Sequence, residues 1–378
     1  MNKTFQVRTF TSSIKTRFVA LCAIVFLLPF SAWTATLQID KVEPPHWWVG
    51  MKSQQLELMI HARDIRNAKP SLQYPGVTLV GTHVSDNPNY LWLQLKVSAN
   101  TQPGVLNIKL RQGQDTTVVR YELQAREKNS ALREGFSSAD VVLNLMPDRF
   151  ANGDPSNDNQ AGFADKANRE SKQGRHGGDI AGLVKNLDHI AGMGYTAIWP
   201  TPLLENNQPA FSYHGYASTD NYRIDARYGS NEDYRRMVQT AKQKGLKFIQ
   251  DIVPNHIGDH HWWMRDLPAK DWLSNRNTFT PTNHARTTIS DPYASANDRQ
   301  GFTGGWFAPS MPDMNSKNPR VANYLIQHAI WTTETFGVDG WRVDTYKYCD
   351  EAFMNRVNDA LMLEYPRLTI FGETVSRS

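Results

Sequence analysis

From residue 36 to residue 125, hydrophobic and polar residues alternate with the two-residue period of half-buried β-strands. The alternation is clearest in three runs: Leu56–Leu58, Leu91–Leu95 and Val105–Leu110. Turn-forming pairs such as Pro75-Gly76 separate the runs. Short strands at this regular spacing predict a β-sandwich of about 100 residues. The mixed, polar stretch 126–138 is predicted to be a linker.

From Ala139 onward, apolar runs of strand length alternate with segments of helical period. The predicted strands are 141–145, 196–199, 247–253, 338–344 and 368–373. The predicted helices cover 180–190, 230–245 with a Ser230/Asp233 capping box, a segment from about Pro319, and 350–364. Residues 257–318 are irregular and rich in aromatic residues. Repeated strand–helix units imply a parallel sheet, either doubly wound or closed into a (β/α)8 TIM-type barrel.

Polar residues follow the ends of several predicted strands: Asp148, Asn255, His256, Asp344 and Glu373. In a barrel, the carboxyl ends of the strands face one mouth, where active sites lie. No Gly-x-Gly-x-x-Gly motif or P-loop opens a helix, which weighs against a nucleotide-binding fold.

Residues 1–35 have the features of a secretory signal peptide. Four basic residues precede an apolar run, Phe18–Leu28, that is too short to span a membrane comfortably. Small residues around Ala32 and Ala35 allow cleavage, and an uncleaved anchor is the alternative. The sequence therefore predicts a secreted or periplasmic protein with no stable membrane insertion after signal cleavage.

Removal of this segment changes the charge balance. The whole chain has 41 basic and 37 acidic residues, a formal net charge of +4, and residues 1–35 hold four of the basic residues. The remainder is neutral, at 37 minus 37, so no basic surplus argues for nucleic acid or anionic membranes as partners. Cys349 would then be the single cysteine, so no intrachain disulfide is expected, and a small buried side chain is predicted.

Two carboxylates, Asp344 and Glu373, follow successive predicted strands. Arg342 lies two positions before Asp344, so both side chains leave the same face of the strand, where the guanidinium would keep Asp344 ionised. Retaining glycosidases hold a nucleophile and an acid/base about 5 Å apart, which neighbouring strand ends can supply. The pair is a candidate for glycosidic bond cleavage, although an Arg and an Asp at this spacing are also a common structural ion pair.

Two further segments carry groups that suit a sugar ligand. His256 ends the third predicted strand, where an imidazole could bond to a hydroxyl, although a lone histidine is more often structural. The segment Tyr213–Tyr216 places His214 beside an aromatic face, and Gly215 permits close approach. An ordinary turn is the alternative for that segment.

These motifs and their order resemble those of the α-amylase superfamily of glycoside hydrolases (family 13), most closely its cyclomaltodextrinase and neopullulanase branch. The four signatures are Asp251-x-Val253-x-Asn255-His256, Met311-Pro312-Asp313-Met314-Asn315, Gly340-Trp341-Arg342-Val343-Asp344 and Gly372-Glu373. The stretch 42–51 is similar to the start of that branch's immunoglobulin-like N-terminal domain. The resemblance implies the following organisation: a sandwich at 36–125, a linker at 126–138, and a catalytic barrel at 139–378 with a small inserted domain B at about 257–318.

The resemblance also implies roles for individual residues. Asp344 would be the nucleophile, Glu373 the acid/base, and Arg342 the residue that orients Asp344. Implied substrate-binding residues are Tyr216, which would stack on the sugar, His214 and His256, which would bind its hydroxyls, and Lys347, which would contact the leaving-side glucose. A solvated surface lysine is the alternative for Lys347.

The loop 152–158 is rich in the oxygen ligands that Ca²⁺ takes in sets of about six to eight. The same residue types form ordinary turns, so composition leaves both interpretations open. The resemblance implies a structural Ca²⁺ site made of Asn152, Asp154, Asn157, Asp158, Gly177 and Asp179.

The activity that the resemblance implies is cleavage of α-1,4-glucosidic bonds in maltodextrins, cyclodextrins, starch or pullulan, by a retaining double displacement. Two alternatives are a glucan transglycosylase that uses the same residues and a non-catalytic α-glucan-binding protein. A homodimer through the N-terminal domain is a further implication. The family also needs a third Asp near its seventh barrel strand, whereas this chain ends at Ser378 after the fifth predicted strand. We therefore expect a C-terminally truncated barrel that is inactive in isolation.

Overall fold

The computed structural model describes residues 37–374. The predicted signal peptide lies outside these residues. The described chain begins with a β-rich domain and continues into a domain of alternating strands and helices. No helix between residues 37 and 374 combines the length and the apolar character needed to cross a membrane.

The N-terminal domain is a sandwich of two four-stranded sheets, with strand orders β1-β3-β6-β5 and β2-β8-β7-β4. Its strands are β1 Lys41–Glu43, β2 Trp47–Val49, β3 Gln55–His61, β4 Lys69–Leu72, β5 Val77–Val84, β6 Tyr90–Val97, β7 Gly104–Gln112 and β8 Asp115–Ala125. The alternating pattern places one face of each strand in the core: in β7, Leu106, Ile108 and Leu110 are buried and the residues between them are exposed. The predicted sandwich is confirmed.

The second domain is organised around a five-stranded parallel sheet. Its strands are β9 Val142–Leu145, β10 Ala197–Pro200, β13 Lys247–Ile252, β14 Gly340–Val343 and β15 Thr369–Gly372; the pair β11 Leu204–Glu205 and β12 Asp220–Ile224 forms a separate antiparallel ribbon. The parallel strands pair in the order in which they occur along the chain. A doubly wound sheet would reverse direction at a switch point, whereas sequential order is that of a barrel. The barrel prediction is confirmed, as five strands within the described residues.

Helices cover the parallel sheet and cap its loops. They are α1 Pro147–Phe150, α2 Ile180–Lys185, α3 Leu187–Gly192, α4 Asn231–Gln243, α5 Ser274–Asn277, α6 Ala296–Thr303, α7 Pro319–Phe336 and α8 Glu351–Glu364. The Ser230/Asp233 capping box forms as predicted at the start of α4. The segment 180–190 differs from the prediction because it is two helices. Asn186 donates its side-chain amide to the Gly182 carbonyl oxygen at 2.8 Å and ends α2.

The inserted region between β13 and α7 has the irregular structure that the sequence predicts. It contains α5, α6 and short 3₁₀ turns, and isolated bridges connect His256 to Asp313 and Leu273 to Met314. The first of these bridges joins the inserted region to the segment that follows β13. Domain B is thereby held at the carboxyl end of the sheet, next to the candidate site.

The segment 126–138 is docked on the barrel, although its polar composition predicts only a linker. Arg126 donates to Glu334 on α7 at 3.1 Å and to Glu364 at the end of α8 at 3.0 Å. Arg133 also donates to Glu334, at 3.3 Å. These contacts are ion pairs between residues more than 200 positions apart, so no local pattern in the sequence indicates them.

Further along the same segment, Phe136 packs under the sheet. Its ring meets Phe371 of β15 edge to face, with 5.5 Å between ring centroids. A Cβ atom on Gly340, the first residue of β14, would lie 2.5 Å from the Phe136 ring. The segment therefore packs against both of the strands that precede the candidate catalytic carboxylates.

Candidate active site

One guanidinium group, that of Arg342, contacts three carboxylates at the carboxyl end of the sheet. Its Nη1 donates to Asp344 Oδ1 at 2.7 Å and to Asp251 Oδ1 at 2.9 Å. Its Nη2 lies 2.9 Å from Glu373 Oε2. Two carboxylates that share one guanidinium are close neighbours, as the nucleophile and the acid/base of a retaining glycosidase must be.

Strand register explains why these groups meet. In the pairing of β13 with β14, Asp251 lies opposite Arg342, and in the pairing of β14 with β15, Val343 lies opposite Gly372. The ladder continues one residue further, because the Asp344 amide donates to the Ile252 carbonyl at 2.8 Å. Parallel strands in this register bring their carboxyl-terminal side chains to one edge of the sheet.

Burial changes the expected ionisation of Asp344. Its side chain is only 9% exposed, and burial, together with the nearby charges of Asp251 and Glu373, raises its pKa to about 7 despite the Arg342 contact. Arg342 acts in the direction that the sequence predicts, because it lowers the pKa of Asp344, but burial acts against it. Desolvation of a carboxylate in this shared cluster outweighs the attraction of one guanidinium.

Asp251 is also a member of the site, although the sequence indicates it only as part of a motif. Besides Arg342, its carboxylate accepts bonds from Trp199 Nε1 at 3.0 Å and from Tyr216 Oη at 3.1 Å. Burial raises its pKa to about 6. The sequence gives one indication of this role: Asp251 lies near the end of a predicted strand, and the next predicted strand carries Arg342. Nothing in the sequence indicates that the indole of Trp199, on β10, contacts the site.

The structure brings the predicted sugar-binding residues to the same place. Tyr216 lies with its ring centroid 5.7 Å from the Arg342 guanidinium carbon, and His214 stacks against it with 5.8 Å between ring centroids. The ring of His256 contacts the Tyr216 carbonyl oxygen through Nε2 at 3.0 Å. Burial lowers the pKa of His214, and it lowers the pKa of His256 to about 4, so both rings are neutral at pH 7. Nε2 of His256 is used by that bond, and Nδ1 of His214 accepts from the Tyr216 amide at 2.9 Å, so each ring has one nitrogen left for a ligand hydroxyl.

Lys347 shares a cavity with the acid/base candidate. It lines a cavity of about 100 Å³ together with Glu373, Phe307 and Arg286, the last two from domain B. Glu373 is the most open of the three carboxylates, with 38% of its side chain exposed. Lys347 and Glu373 thus line the same cavity.

The predicted calcium residues gather at a second position. Asn152 donates through Nδ2 to Asp158 Oδ1 at 2.6 Å, and a Cβ on Gly177 would lie 2.3 Å from that oxygen. Within residues 37–374, the buried Oδ1 atoms of Asn152 and Asn157 have no hydrogen-bond partner. Unpartnered, buried amide oxygens are ligands that suit Ca²⁺.

Two residues of the predicted calcium set have other partners. Asp179 accepts from the backbone amides of Gly153 and Gly182, at 2.9 and 2.6 Å, and caps α2. Asp154 turns its carboxylate to Ser156 Oγ at 2.6 Å and is exposed. No cluster of three or more His, Cys, Asp or Glu side chains arranged for a metal occurs between residues 37 and 374. A cation here would therefore depend mainly on amide and carbonyl oxygens.

Comparison with known proteins identifies the family of this chain. A sequence model described as the alpha amylase catalytic domain matches residues 144–372, more than half of the chain. The chain belongs to the alpha-amylase family. A model of the cyclomaltodextrinase N-terminal domain matches residues 41–127, in the sandwich. The family resemblance drawn from the motifs is thus confirmed for both parts of this alpha-amylase-family chain.

Individual relatives agree with this assignment. Neopullulanase 2 of Thermoactinomyces vulgaris is 33% identical over 236 residues, which cover 62% of this chain and 38% of that protein. Cyclomaltodextrinase of Geobacillus thermopakistaniensis (strain MAS1) is 28% identical over 240 residues, covering 62% and 38% respectively. The crystal structure of an Anoxybacillus alpha-amylase aligns with a TM-score of 0.54 and 30% identity, over 62% of this chain and 47% of that one. The chain spans less than half the length of each of these alpha-amylase-family proteins.

Proposed function

We propose that the protein to which this chain belongs is a glycoside hydrolase that cleaves α-1,4-glucosidic bonds in maltodextrins, cyclodextrins, starch or pullulan with retention of configuration. The observation that carries the proposal is the convergence of Asp344 and Glu373 on the guanidinium of Arg342. The relatives named neopullulanase and cyclomaltodextrinase support the substrate class.

The chemistry would proceed in two displacements. Glu373 donates a proton to the glycosidic oxygen while Asp344 attacks the anomeric carbon, so the bond to the leaving sugar breaks and a glycosyl ester of Asp344 forms. Glu373 then takes a proton from water, which attacks the same carbon and frees Asp344. Two inversions leave the α configuration unchanged.

The remaining groups would position the sugar. Tyr216 would offer its ring to the face of the glucose bound at the cleavage point, and the neutral rings of His214 and His256 would bind hydroxyls. Within the described residues, His256 Nδ1 is buried without a partner, which suits a ligand hydroxyl. Lys347 would contact the glucose on the leaving side.

The test is hydrolysis of γ-cyclodextrin, starch and pullulan by the whole protein, with the anomeric configuration of the first product read by NMR. We expect α-configured maltose or panose, and a loss of about 10³-fold or more in kcat for Asp344→Asn and for Glu373→Gln. The matched control is Glu232→Gln on the exposed face of α4, which should keep full activity. Undiminished activity of Asp344→Asn would refute the nucleophile assignment. Longer oligosaccharides as main products would indicate a transglycosylase, and binding without products a glucan-binding protein.

Calcium is a further part of the proposal. The residues that would hold it are Asn152, Asn157, Asp158 and the Gly177 carbonyl, and the unpartnered amide oxygens support this set. When bound, Ca²⁺ would cross-link the loop after α1 to the turn before α2. These residues do not contact the Arg342 cluster in the hydrogen-bond network, so the role of the cation would be structural.

Export and self-association also belong to the proposal. The apolar run after a basic N-terminus supports a secreted or periplasmic location. Cell fractionation would test it, and retention of the protein in the cytoplasm would contradict it. A homodimer through the sandwich is proposed as well, as the resemblance of residues 41–127 to the cyclomaltodextrinase branch implies. Light scattering coupled to gel filtration would distinguish that dimer from a monomer.

A further inference from the structure

A groove of about 720 Å³ lies between the β-sandwich and the outer helices of the barrel. Strands β3, β5 and β6 form one wall, and helices α7 and α8 form the other. None of the residues of the candidate active site lines it. The volume lies within the range of roughly 300–1,000 Å³ that small-molecule sites occupy.

The walls of this interdomain groove are fixed by bonds across the domain boundary. The side-chain amide of Gln327 on α7 accepts from the Glu57 amide of β3 and donates to the Glu57 carbonyl, both at 2.7 Å. At the other end, Glu364 of α8 accepts from the Ser53 amide at 2.7 Å. A groove held open in this way is pre-formed, so a ligand need not order it on binding.

The lining suits a neutral, polyhydroxylated ligand. The floor is apolar and includes the buried side chains of Leu56, Leu95 and Ile330. The rim is rich in amide side chains, among them those of Gln54, Gln55 and Asn323. An amide donates and accepts hydrogen bonds side by side, as vicinal sugar hydroxyls require. Two charged side chains line the groove: that of Glu57, which already binds Arg320, and that of Lys96, which is exposed.

Two exposed apolar side chains flank the opening of the groove. Val80 of β5 is 66% exposed on the sandwich side, and Leu363 of α8 is 55% exposed on the barrel side. Apolar side chains above an amide-lined rim match the two kinds of surface on a pyranose ring, whose faces are apolar and whose edge carries hydroxyls.

We propose that the interdomain groove is an accessory binding site for α-1,4-linked glucose units, separate from the site around Asp344. The identity of the glucan rests on the proposed function, whereas the existence of the site rests on the groove itself. A site of this volume would hold a segment of about two or three glucose units. Its purpose would be to keep a polymeric substrate on the enzyme between cleavage events.

The experiment is affinity electrophoresis of the full chain in native gels that contain amylopectin, in an Asp344→Asn background so that the polymer is not cleaved. We expect retardation that soluble maltotriose reverses. Val80→Glu and Leu363→Glu should each weaken the apparent affinity about tenfold by placing a charge at the opening. The matched control is Val118→Glu, the same change at an exposed position of β8 that does not line the groove.

The outcomes separate this inference from the proposed function. The accessory site is supported if both groove variants lose the retardation and the control variant keeps it. This holds even if the whole protein hydrolyses no glucan. No retardation, or equal retardation in all variants, overturns it, even if hydrolysis is normal. The remaining possibility is that Val80→Glu and Leu363→Glu change only the mass measured by light scattering. The groove would then be a contact between copies of the chain, and the inference would be wrong.

Discussion

The ring of Tyr346 lies directly against Gly372, so closely that a Cβ atom on Gly372 would fall 2.4 Å from the Tyr346 Cγ. Gly372 is the last residue of β15 and immediately precedes Glu373. The Glu373 amide donates to the Val343 carbonyl at 2.8 Å, and its carboxylate accepts from the Thr345 amide at 2.9 Å. The position of the acid/base candidate therefore depends on the absence of a side chain one residue earlier.

Gly372→Ala is expected to displace either the Tyr346 ring or the end of β15. We expect a loss of about 1–3 kcal/mol in the free energy of unfolding, as for other overpacked cores, measured by chemical denaturation. Activity of the whole protein should fall about 100-fold, because a shift of about 1 Å in Glu373 is enough for that loss. Gly192→Ala is the control, since a Cβ there meets no atom within 4 Å. Equal behaviour of the two variants would contradict the packing argument.

Ionisation of Asp344 should set the acidic limb of the pH profile. Its pKa is raised to about 7, so the nucleophile is protonated below that pH and kcat/KM should fall about tenfold for each further unit. A profile that stays flat down to about pH 5 would show that the carboxylate is ionised far more easily than its burial implies.

The same shift predicts an effect on stability. Because the folded pKa lies above the ordinary value of 3.8, the neutral acid favours the folded state. This stabilisation is fully present below about pH 4 and is lost as the pH rises through about 7. Asp344→Asn should therefore raise the melting temperature by about 2 °C at pH 8 and have little or no benefit at pH 4. Thermal denaturation at both pH values measures this, and destabilisation at pH 8 would contradict it.

Removal of the shared guanidinium should lower the free energy of unfolding more than removal of a surface charge. Arg342→Met leaves Asp251, Asp344 and Glu373 without their common cation, and we expect a cost of about 3–5 kcal/mol near pH 8. The cost should shrink near pH 5, where more of these carboxyl groups are protonated. Arg342→Lys should recover little of the lost stability, because one ammonium group cannot replace a planar guanidinium with several donors.

The control for Arg342 is Arg235→Met on α4. Arg235 binds Glu232 at the surface, with 42% of its side chain exposed, and should change stability by less than about 1 kcal/mol. Urea unfolding at the two pH values measures both variants. A cost for Arg342→Met that does not depend on pH would refute the electrostatic explanation.

Calcium should stabilise the protein through the amide oxygens of the 152–158 loop. We expect a rise of about 3 °C or more in melting temperature at saturating Ca²⁺, reversal by a chelator, and loss of the response in Asn157→Ala. Asp154→Ala should keep the response, because that carboxylate already binds Ser156. An unchanged melting temperature on addition of Ca²⁺ would contradict the proposed site. A response lost only in Asp154→Ala would show that this loop rearranges around the cation.

Much of the fold follows from patterns that are local in the sequence. The β-sandwich and the parallel strands are encoded by hydrophobic period, and the start of α4 by the Ser230/Asp233 pair. The docking of 126–138 could not be predicted in this way. Arg126 and Glu364 are 238 residues apart. The local sequence of a polar stretch does not show whether its charged side chains are solvated or bind buried partners.

The sequence by itself determined the succession of strands and helices along the chain, the family, and the two carboxylates that follow β14 and β15. Only the tertiary structure decided that Arg342 binds Asp251 as well as Asp344, and that the nucleophile candidate is buried enough for its pKa to rise to about 7. The reason is physical. Period and motif depend on neighbours along the chain, whereas register between strands and exclusion of water depend on residues that folding brings together from distant positions.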